Sequence, residues 1–358
     1  MHIGTSVPEL DKSLDVETTD VQGASLAPGF IDAHAHITGG GGEAGPSTRV
    51  PPLNLSQFTS AGVCSVVGLL GTDDLTRNTQ TLVTQVMGLR EEGLSAWCYT
   101  GGYHLPAMTL TGSVRSDIVN LEPVIGVGEL AISDHRSSQP TRNELLRVAS
   151  DAHVAGLMTG KAGVLHLHLG DGERRLALIQ DCLHESELPA RVFNPTHINR
   201  NKALFDEALD LSDAGCWVDI TAFPSSPDGP GYSTVEAVHR YLDKGCDPGR
   251  LTISSDGGGC LPFFNQQGEM LHMGFATCAA MSTAFVELVE SGLDRDRVLA
   301  FFTSNVATLL RLRHKGRIEV GMHADLLVLD DSNHIDSVMV MGRWHVRHGN
   351  LLKRGLFE

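Results

Sequence analysis

Two histidines near the amino terminus have the type and spacing of metal ligands. His34 and His36 end the segment PGFIDAHAH and are separated by one residue. Because alternate residues of a β-strand point to the same face, both imidazoles are expected to face the same way. Two neutral imidazoles can bind a borderline-soft ion such as zinc. The segment therefore predicts part of a metal site, which needs ligands from elsewhere in the chain.

The other ligands are expected where further predicted strands end. The candidates are Glu129, His168, His197 and Asp256. In a parallel barrel the carboxyl ends of the strands meet at one mouth, where catalytic groups gather. Four imidazoles and two carboxylates can give two metal ions three or four protein ligands each if one carboxylate bridges them. We therefore predict a site for two divalent ions, with zinc as the expected metal.

Three more histidines lie close to the predicted ligands. His166 competes with His168 because the two alternate on one strand, and we prefer His168 because it is nearer the strand end. His104 and His135 also follow predicted strands, and we expect them to support the site without binding metal.

The elements that must position these residues are short apolar runs that alternate with helical patterns. Eight such runs can be counted, at residues 30–36, 63–71, 95–101, 124–132, 164–170, 191–197, 217–221 and 251–256. Apolar residues recur every three or four positions in the segments between them, as in amphipathic helices. Repeated strand and helix units predict a parallel α/β fold, and eight of them predict a closed (β/α)8 barrel of the TIM type.

The two chain ends have a different pattern. Residues 315–358 contain several short strand-like runs separated by Gly and polar turns, and residues 14–16 carry a weak strand signal. We predict a small β-sandwich-like module formed by residues 1–27 and 315–358, beside a barrel domain at residues 28–314.

Composition limits the partners. The chain has 358 residues and a formal net charge of -16, which argues against affinity for nucleic acid. No apolar stretch approaches the roughly 20 residues that span a bilayer, so no membrane partner is expected. The seven cysteines are odd in number and scattered, which predicts a reducing compartment, the cytoplasm.

Several motifs carry a family resemblance. The His-x-His pair after PGFID and the later segment ADLLVLD are similar to sequences found broadly in the amidohydrolase superfamily. HITGGGGEAGP, VVGLLGTD, TGGYH, AISDHR, PTHINRN and SSDGGGCLPFF resemble the isoaspartyl (β-aspartyl) dipeptidase family more specifically. The resemblance covers nearly the whole chain.

The resemblance implies hydrolysis of the amide that joins the side-chain carboxyl of aspartate to the next residue. It implies a metal-bridging hydroxide as nucleophile, Asp256 as proton shuttle and Tyr103 as the group that stabilises the oxyanion. The implied substrate-binding residues are Glu43, Thr72, Tyr103, Arg136, Arg200 and Cys260. Glu43 suits the free ammonium group of such a dipeptide, and the arginines suit its carboxylates. A homo-oligomer is also implied.

The sequence departs from the family at two positions. Glu129 stands where the family commonly uses a carbamylated lysine as the bridging ligand, and we expect Gly128 to form a bulge that compensates for its shorter side chain. Cys260 stands where the family usually has Ser. It could be a thiol close to the metals or an oxidation-prone group, but we favour a small residue of matching volume.

Two loops are expected to contact substrate. Residues 39–42 are four consecutive glycines directly after the metal strand, which allow close approach to a ligand, and residues 222–233 have the composition of a lid. Two rival functions stay open. One is a cyclic amidase of the dihydroorotase or hydantoinase type, and the other is a non-catalytic scaffold on the same fold.

Overall fold

The computed structural model describes residues 17–223, 229–264 and 270–358. In chain order its strands are β1 Ser25–Pro28, β2 Phe30–Ala35, β3 Val63–Gly68, β4 Ser95–Thr100, β5 Val124–Ile132, β6 Val164–Leu169, β7 Phe193–Thr196, β8 Val218–Thr221, β9 Leu251–Ser254, β10 Cys260–Phe264, β11 Met270–Phe275, β12 Leu326–Leu329, β13 Ile335–Val340, β14 Arg343–Arg347 and β15 Asn350–Leu351. Its α-helices are α1 Leu55–Thr59, α2 Thr79–Glu91, α3 Val114–Asn120, α4 Arg142–Thr159, α5 Ala177–His184, α6 Lys202–Asp213, α7 Thr234–Asp243, α8 Ala279–Glu290, α9 Arg295–Phe302 and α10 Ser304–Leu309.

The predicted barrel is confirmed, with each of the eight predicted runs containing one strand from β2 to β9. Strands β2 to β7 form a continuous parallel sheet, and β8 pairs in parallel with β9. Helices follow most strands, and six of the described helices begin with a residue whose side chain accepts from the first turn: α2, α3, α4, α6, α7 and α9. Thr141 and Glu144, for example, form a capping box at α4, which ends at Gly160 in the left-handed conformation (φ 73°).

The barrel closes where its last strand meets its first. The backbone N–H of Asp256 donates to the carbonyl of His34 (3.1 Å), and the N–H of His36 donates to the carbonyl of Gly257 (2.7 Å). The buried carboxylate of Asp32 accepts from the hydroxyl of Ser255 (2.5 Å) and also from its N–H (3.2 Å). These bonds hold the two strand ends that carry predicted metal ligands directly beside each other.

The amino-terminal end of the barrel interior is filled with apolar side chains. Ile31, Val67, Ile125 and Val164 point into it and pack with residues of α10, including Val306 and Leu309. Such layers make a barrel a packed core rather than a pore. Access to the interior is therefore expected from the carboxyl-terminal end, where the predicted ligands lie.

The chain ends together build a second sheet, as predicted. It is antiparallel, in the order β1, β12, β13, β14, β15, and among the described residues it forms a single layer. The strand signal at residues 14–16 lies outside the described residues. Strand β1 runs directly into β2, so this module is continuous with the strand that carries the His-x-His pair. In the described part of the chain, no helix combines the length and apolar character needed to cross a membrane.

Candidate metal centre and its cavity

The structure brings the two histidines of β2 together with two carboxylates at the barrel mouth. His36 Nε2 lies 3.1 Å from Asp256 Oδ1 and 3.3 Å from Glu129 Oε1. His34 Nε2 lies 3.3 Å from Asp256 Oδ1 and 3.6 Å from Glu129 Oε2. All four side chains are buried. The carboxylate of Glu129 therefore reaches both histidines with different oxygens.

The remaining two predicted ligands also approach Glu129. Its Oε2 is 3.2 Å from His168 Nδ1 and 3.6 Å from His197 Nε2. Donor atoms of His34, His36 and Asp256 are close enough to hold one ion, as are those of His34, Glu129 and His197. The two groups share His34, and each contains one of the two carboxylates.

Hydrogen bonds behind the histidines hold their rings in place at the site. Asn194 Oδ1 lies 2.7 Å from His166 Nδ1, and His166 Nε2 lies 2.8 Å from His34 Nδ1. Burial and the nearby His34 lower the pKa of His166 to about 3, so this ring is neutral. If His166 donates from Nδ1, its Nε2 accepts from His34, and His34 Nε2 keeps a free lone pair.

His197 and His168 are oriented by the same kind of contact. His197 Nδ1 lies 2.7 Å from the hydroxyl of Thr221, and His168 Nε2 lies 3.0 Å from Asp134 Oδ2. Each contact uses one ring nitrogen and leaves the other directed at Glu129. Metal-binding histidines are typically held in this way, with the second nitrogen fixed by a carboxylate or another oxygen.

The charge state of the cluster is set by competing effects. Burial alone would raise the pKa of Glu129, but His34, His168 and His197 outweigh it and hold that pKa well below its usual range. Burial likewise disfavours the charged form of His36, but Asp256 and Glu129 raise its pKa to about 10. The carboxylates are therefore ionised, and positive charge is favoured between them.

Unpaired buried atoms test whether metal ions fit this cluster. His34 Nε2, Glu129 Oε1 and Asp256 Oδ1 are buried and have no hydrogen bond of suitable geometry to any described residue. Leaving such atoms unpaired is costly, whereas metal ions would use their lone pairs. A set of imidazole nitrogens and carboxylate oxygens also matches the preferences of zinc. The residues present fit divalent metal ions.

The backbone around the cluster is unusual. The pairing of β5 with β6 shifts between Val127 and Leu130, so that Gly128 and Glu129 stand opposite a single residue. This register shift confirms the bulge predicted at Gly128. His197 and Asp256 follow their strands in the left-handed region, with φ of 59° and 55°. Such conformations are sparsely populated by residues with a side chain and recur at functional sites.

A cavity of about 1010 Å³ opens above the cluster. Its walls contain every predicted substrate residue: Glu43, Thr72, Tyr103, Arg136, Arg200 and Cys260. Five of the predicted metal ligands line it too: His36, Glu129, His168, His197 and Asp256. The predicted lid lies partly outside the described residues, but Phe223 contributes to the wall.

Two arginines in this cavity point towards His168. Arg136 donates to Glu43 Oε1 (3.1 Å) and to both oxygens of Asp134 (3.0 and 2.7 Å). Arg200 donates to both oxygens of Asp171 (3.1 and 3.0 Å). Both guanidinium groups approach His168 Nε2, at 3.4 and 3.5 Å. The cavity thus holds two bidentate cations next to the metal-facing cluster.

Glu43 is surrounded by small polar groups. The hydroxyl of Thr72 lies 3.3 Å from its Oε1, and the thiol of Cys260 lies 3.2 and 3.3 Å from its two oxygens. Burial and Glu43 raise the pKa of the Cys260 thiol, so it is a neutral donor. This agrees with our preference for Cys260 as a small residue rather than a reactive thiolate.

Sequence reasoning missed Asp134 and Asp171 and underrated His166. Asp134 is buried and touches both a predicted metal ligand and a predicted substrate residue, and it is part of the AISDHR motif. His166 lies behind His34 rather than in the cavity wall. His104 contacts Asp74 (3.0 Å) and the Arg136 carbonyl (3.1 Å), so it supports the loop that carries Arg136.

Comparisons with known proteins agree on the family. A model of the amidohydrolase family matches residues 134–345. The crystal structure of β-aspartyl dipeptidase from Fervidobacterium islandicum AW-1 in complex with β-Asp-Leu has a TM-score of 0.88 and 40% sequence identity, covering 93% of this chain and 88% of that one. A deacetylase of Brucella anthropi is 22% identical over 347 residues, covering 91% of this chain and 77% of that protein.

A more distant structure supports the fold alone. D-hydantoinase from Thermus sp. has a TM-score of 0.65 at 16% identity, covering 97% of this chain and 90% of that one. The chain therefore belongs to the amidohydrolase superfamily and, within it, to the isoaspartyl (β-aspartyl) dipeptidase family.

Proposed function

We propose that this protein hydrolyses β-aspartyl dipeptides at a centre of two zinc ions. The observation that carries the proposal is the charge arrangement of the cavity, in which Arg136 and Arg200 converge beside the metal-facing cluster and Glu43 lies 3.1 Å from Arg136. A β-aspartyl dipeptide has two carboxylates and one ammonium group, which this arrangement complements. The relative from Fervidobacterium islandicum binds β-Asp-Leu, which supports the same substrate class.

The residues that would hold the metals are His34, His36, Glu129, His168, His197 and Asp256, with Glu129 as the bridging ligand. When bound, two divalent ions lower the pKa of water towards about 7 and polarise a carbonyl group. Glu129 Oε1 and Oε2 face different histidines, as a bridging carboxylate requires.

Asp256 and Tyr103 would handle proton transfer and charge. Asp256 lines the cavity, and His34 and His36 outweigh burial and hold its pKa below the usual range. As a carboxylate it can accept a proton from the attacking water and deliver it to the leaving amine. Burial raises the pKa of Tyr103 well above its usual value, so its hydroxyl stays protonated and can donate to the developing oxyanion.

Arg136 and Arg200 would bind the two substrate carboxylates. Both have planar guanidinium groups that suit bidentate contact, and each now contacts an aspartate in this way. Glu43 would pair with the free ammonium group, with Thr72 and Cys260 holding its carboxylate in place. This pairing requires the aspartyl amino group to be free, which a dipeptide linked through the side chain provides.

The test is a paired assay on one purified sample. We expect close to two equivalents of zinc per chain and release of free leucine from β-Asp-Leu, with at least about a hundredfold lower kcat/KM for α-Asp-Leu. Dihydroorotate in the same assay distinguishes a cyclic amidase. Two metals without turnover of β-Asp-Leu would contradict the proposed substrate, and absence of metal would favour the scaffold alternative.

We also propose a cytoplasmic location, a homo-oligomer and a division into two domains. The seven cysteines are all unpaired, which fits a reducing compartment such as the cytoplasm. Leu356 and Phe357 are 80% and 94% exposed, which is apolar surface that a homo-oligomer could cover. We assign residues 28–314 to the barrel domain and the two chain ends to the small module. Sedimentation velocity tests the homo-oligomer.

A further inference from the structure

A pair of cavities lies at the opposite end of the barrel from the candidate metal centre, where the strands begin. Their volumes are about 370 and 420 Å³, and they meet at Thr308 and Arg311. The first is lined by Arg311, Arg313, Lys315 and Arg317, and the second adds Arg191 and Arg250. We call these two joined cavities the basal cleft.

The basal cleft is strongly basic on a strongly acidic protein. The whole chain has a net charge of -16 and 27 lysines and arginines, of which six line this cleft. Lys315 forms an ion pair with Asp325, and Arg250 lies 3.6 Å from Asp247. Within the part of the chain that the structure describes, the remaining four arginines form no ion pair with a carboxylate. Their charges are left for a ligand.

Two of these arginines are half-buried and line the same cavity. Arg191 contacts His153 at 3.5 Å, and Arg311 donates to the carbonyl of Lys161 at 3.2 Å. Burial and the nearby charge of Arg311 both lower the pKa of Arg191. Partly desolvated like charges are unfavourable, and a bound anion would remove that cost.

The shape and lining of the basal cleft indicate the kind of anion. Each cavity falls within the range of about 300–1,000 Å³ that is typical of small-molecule sites. Four basic residues line the first cavity, whereas the second is also lined by Pro189, Ala190 and Leu309 beside its arginines. Guanidinium groups suit the planar oxygen pairs of phosphate, and the apolar wall suits a hydrocarbon or ring.

We propose that the basal cleft binds a small phosphate ester, with its phosphate held by Arg191, Arg311 and the neighbouring arginines and its apolar part against the wall of the second cavity. This site is separate from the peptidase centre and does not depend on the function proposed for it.

The experiment is a calorimetric titration of the metal-loaded protein at constant ionic strength. Inorganic phosphate and phenyl phosphate are the probes, and metal content is measured before and after to show that neither removes metal. We expect one saturable site per chain and tighter binding of phenyl phosphate, because its ring contacts the apolar wall.

Two double variants and a matched control locate the site. Arg191→Gln with Arg311→Gln removes the half-buried pair, and Arg313→Gln with Arg317→Gln removes two exposed arginines that have no partner among the described residues. Each should weaken phenyl phosphate binding by at least about tenfold. Arg147→Gln with Arg354→Gln removes the same charge from exposed positions outside the cleft and should change affinity less than about twofold.

Three results would overturn the proposal. Binding that survives in the Arg191→Gln, Arg311→Gln variant would place the anion elsewhere, for example at the metal ions. Absence of saturable binding at millimolar probe would leave the basal cleft without this ligand. A changed sedimentation coefficient in the Arg313→Gln, Arg317→Gln variant, with no binding to the parent protein, would make the cleft a subunit contact. Unchanged hydrolysis of β-Asp-Leu by that variant would show that it is folded.

Discussion

Glu129 lies at the centre of the histidine cluster, and its Oε1 has no hydrogen-bond partner among the described residues. It is fully buried, and four histidines lie within 3.6 Å of its oxygens. We expect Glu129→Gln to lose at least half of the bound metal and to lower kcat/KM by more than the roughly 10–100-fold typical of residues behind the ligands. Elemental analysis and the β-Asp-Leu assay measure both effects. Glu187→Gln, at an exposed carboxylate, should match the parent protein.

Asp134 links the metal-facing cluster to the substrate side of the cavity. Its carboxylate contacts His168 (3.0 Å) and also holds Arg136 with both oxygens. We expect Asp134→Ala to weaken metal binding by about 10–100-fold and to raise KM, because it frees both partners. Asp134→Asn should recover part of the metal affinity, since its amide oxygen still accepts from His168 Nε2.

Asp171→Asn provides the comparison for that prediction. Asp171 contacts Arg200 but is 64% exposed and lies away from the predicted metal ligands. It should therefore change KM without changing metal affinity. Equal loss of metal in the Asp134 and Asp171 variants, measured with a chelator competition assay, would argue against the positioning role of Asp134.

The clustering of the candidate metal ligands could be predicted from the sequence because strand ends in a parallel barrel meet at one place. His34, His36, His168, His197 and Asp256 all follow or end such strands, and the structure places them together. Asp134 could not be found in this way, since it lies in the loop after β5 and its importance comes from contacts with Arg136 in the same loop and with His168 on the neighbouring strand. The orienting bond from His166 to His34 likewise depends on side-chain geometry that spacing does not encode.

At the scale of elements, the bulge in β5 depends on Gly128. A Cβ atom there would lie 2.5 Å from the carbonyl oxygen of His166, and the residue has φ of 148°. We expect Gly128→Ala to lower the free energy of unfolding by about 1–3 kcal/mol or more and to reduce metal content. Thermal unfolding and elemental analysis measure this.

Gly112→Ala separates steric overlap from backbone conformation. Gly112 also has a positive φ, 95°, but a Cβ atom there would meet nothing within 4 Å. Gly112→Ala should therefore lower the free energy of unfolding only through the unfavourable backbone conformation, by about 1 kcal/mol. If both variants are equally stable and bind equal metal, the close approach of β5 to β6 does not matter for the site.

Strand β14 of the terminal sheet contains a buried histidine with a defined pH effect. Both ring nitrogens of His345 lack a partner, and burial together with Lys353 lowers its pKa to about 4. The unfolded chain takes up this proton near pH 6.5, whereas the folded protein does so only near pH 4. The stabilisation from a neutral His345 is therefore lost as pH falls through that window.

We expect His345→Leu to be more stable than the parent protein at pH 7, because it removes two unpaired buried nitrogens. At pH 5 the difference in free energy of unfolding between the variant and the parent protein should be larger by on the order of 2 kcal/mol. Thermal unfolding at both values measures it. His334→Leu, at a position 63% exposed on the same module, should show no such growth.

The order and type of the barrel elements could be predicted from apolar periodicity, and each predicted strand agrees with the structure to within a few residues. The hairpin of β10 and β11 could not be predicted in this way. Its two strands follow the SSDGGGC turn and do not belong to a repeated βα unit. The barrel strands are hydrogen-bonded in two groups, β2 to β7 and β8 with β9. This division could not be predicted from the sequence, because it depends on strand twist and local register.

For the whole molecule, metal removal should lower stability. The cluster joins the first, fourth, fifth, sixth and eighth barrel strands, so ions bound only by the folded state stabilise the entire barrel. We expect a chelator to lower Tm by several degrees and added zinc to restore it. The Glu129→Gln variant should show a much smaller chelator effect; an equal shift in both proteins would mean that the stabilising metal binds elsewhere.

The closure of the barrel also affects how the protein is made. Asp32 and Ser255, which join its first and last strands, are 223 residues apart. At about 5–20 residues per second, a ribosome needs roughly 10–45 s to synthesise that length. During this time β2 has an unpaired edge, and its two histidines have no Asp256 beside them. The complete set of proposed metal ligands is therefore assembled only late in synthesis, after the last barrel strand has left the ribosome.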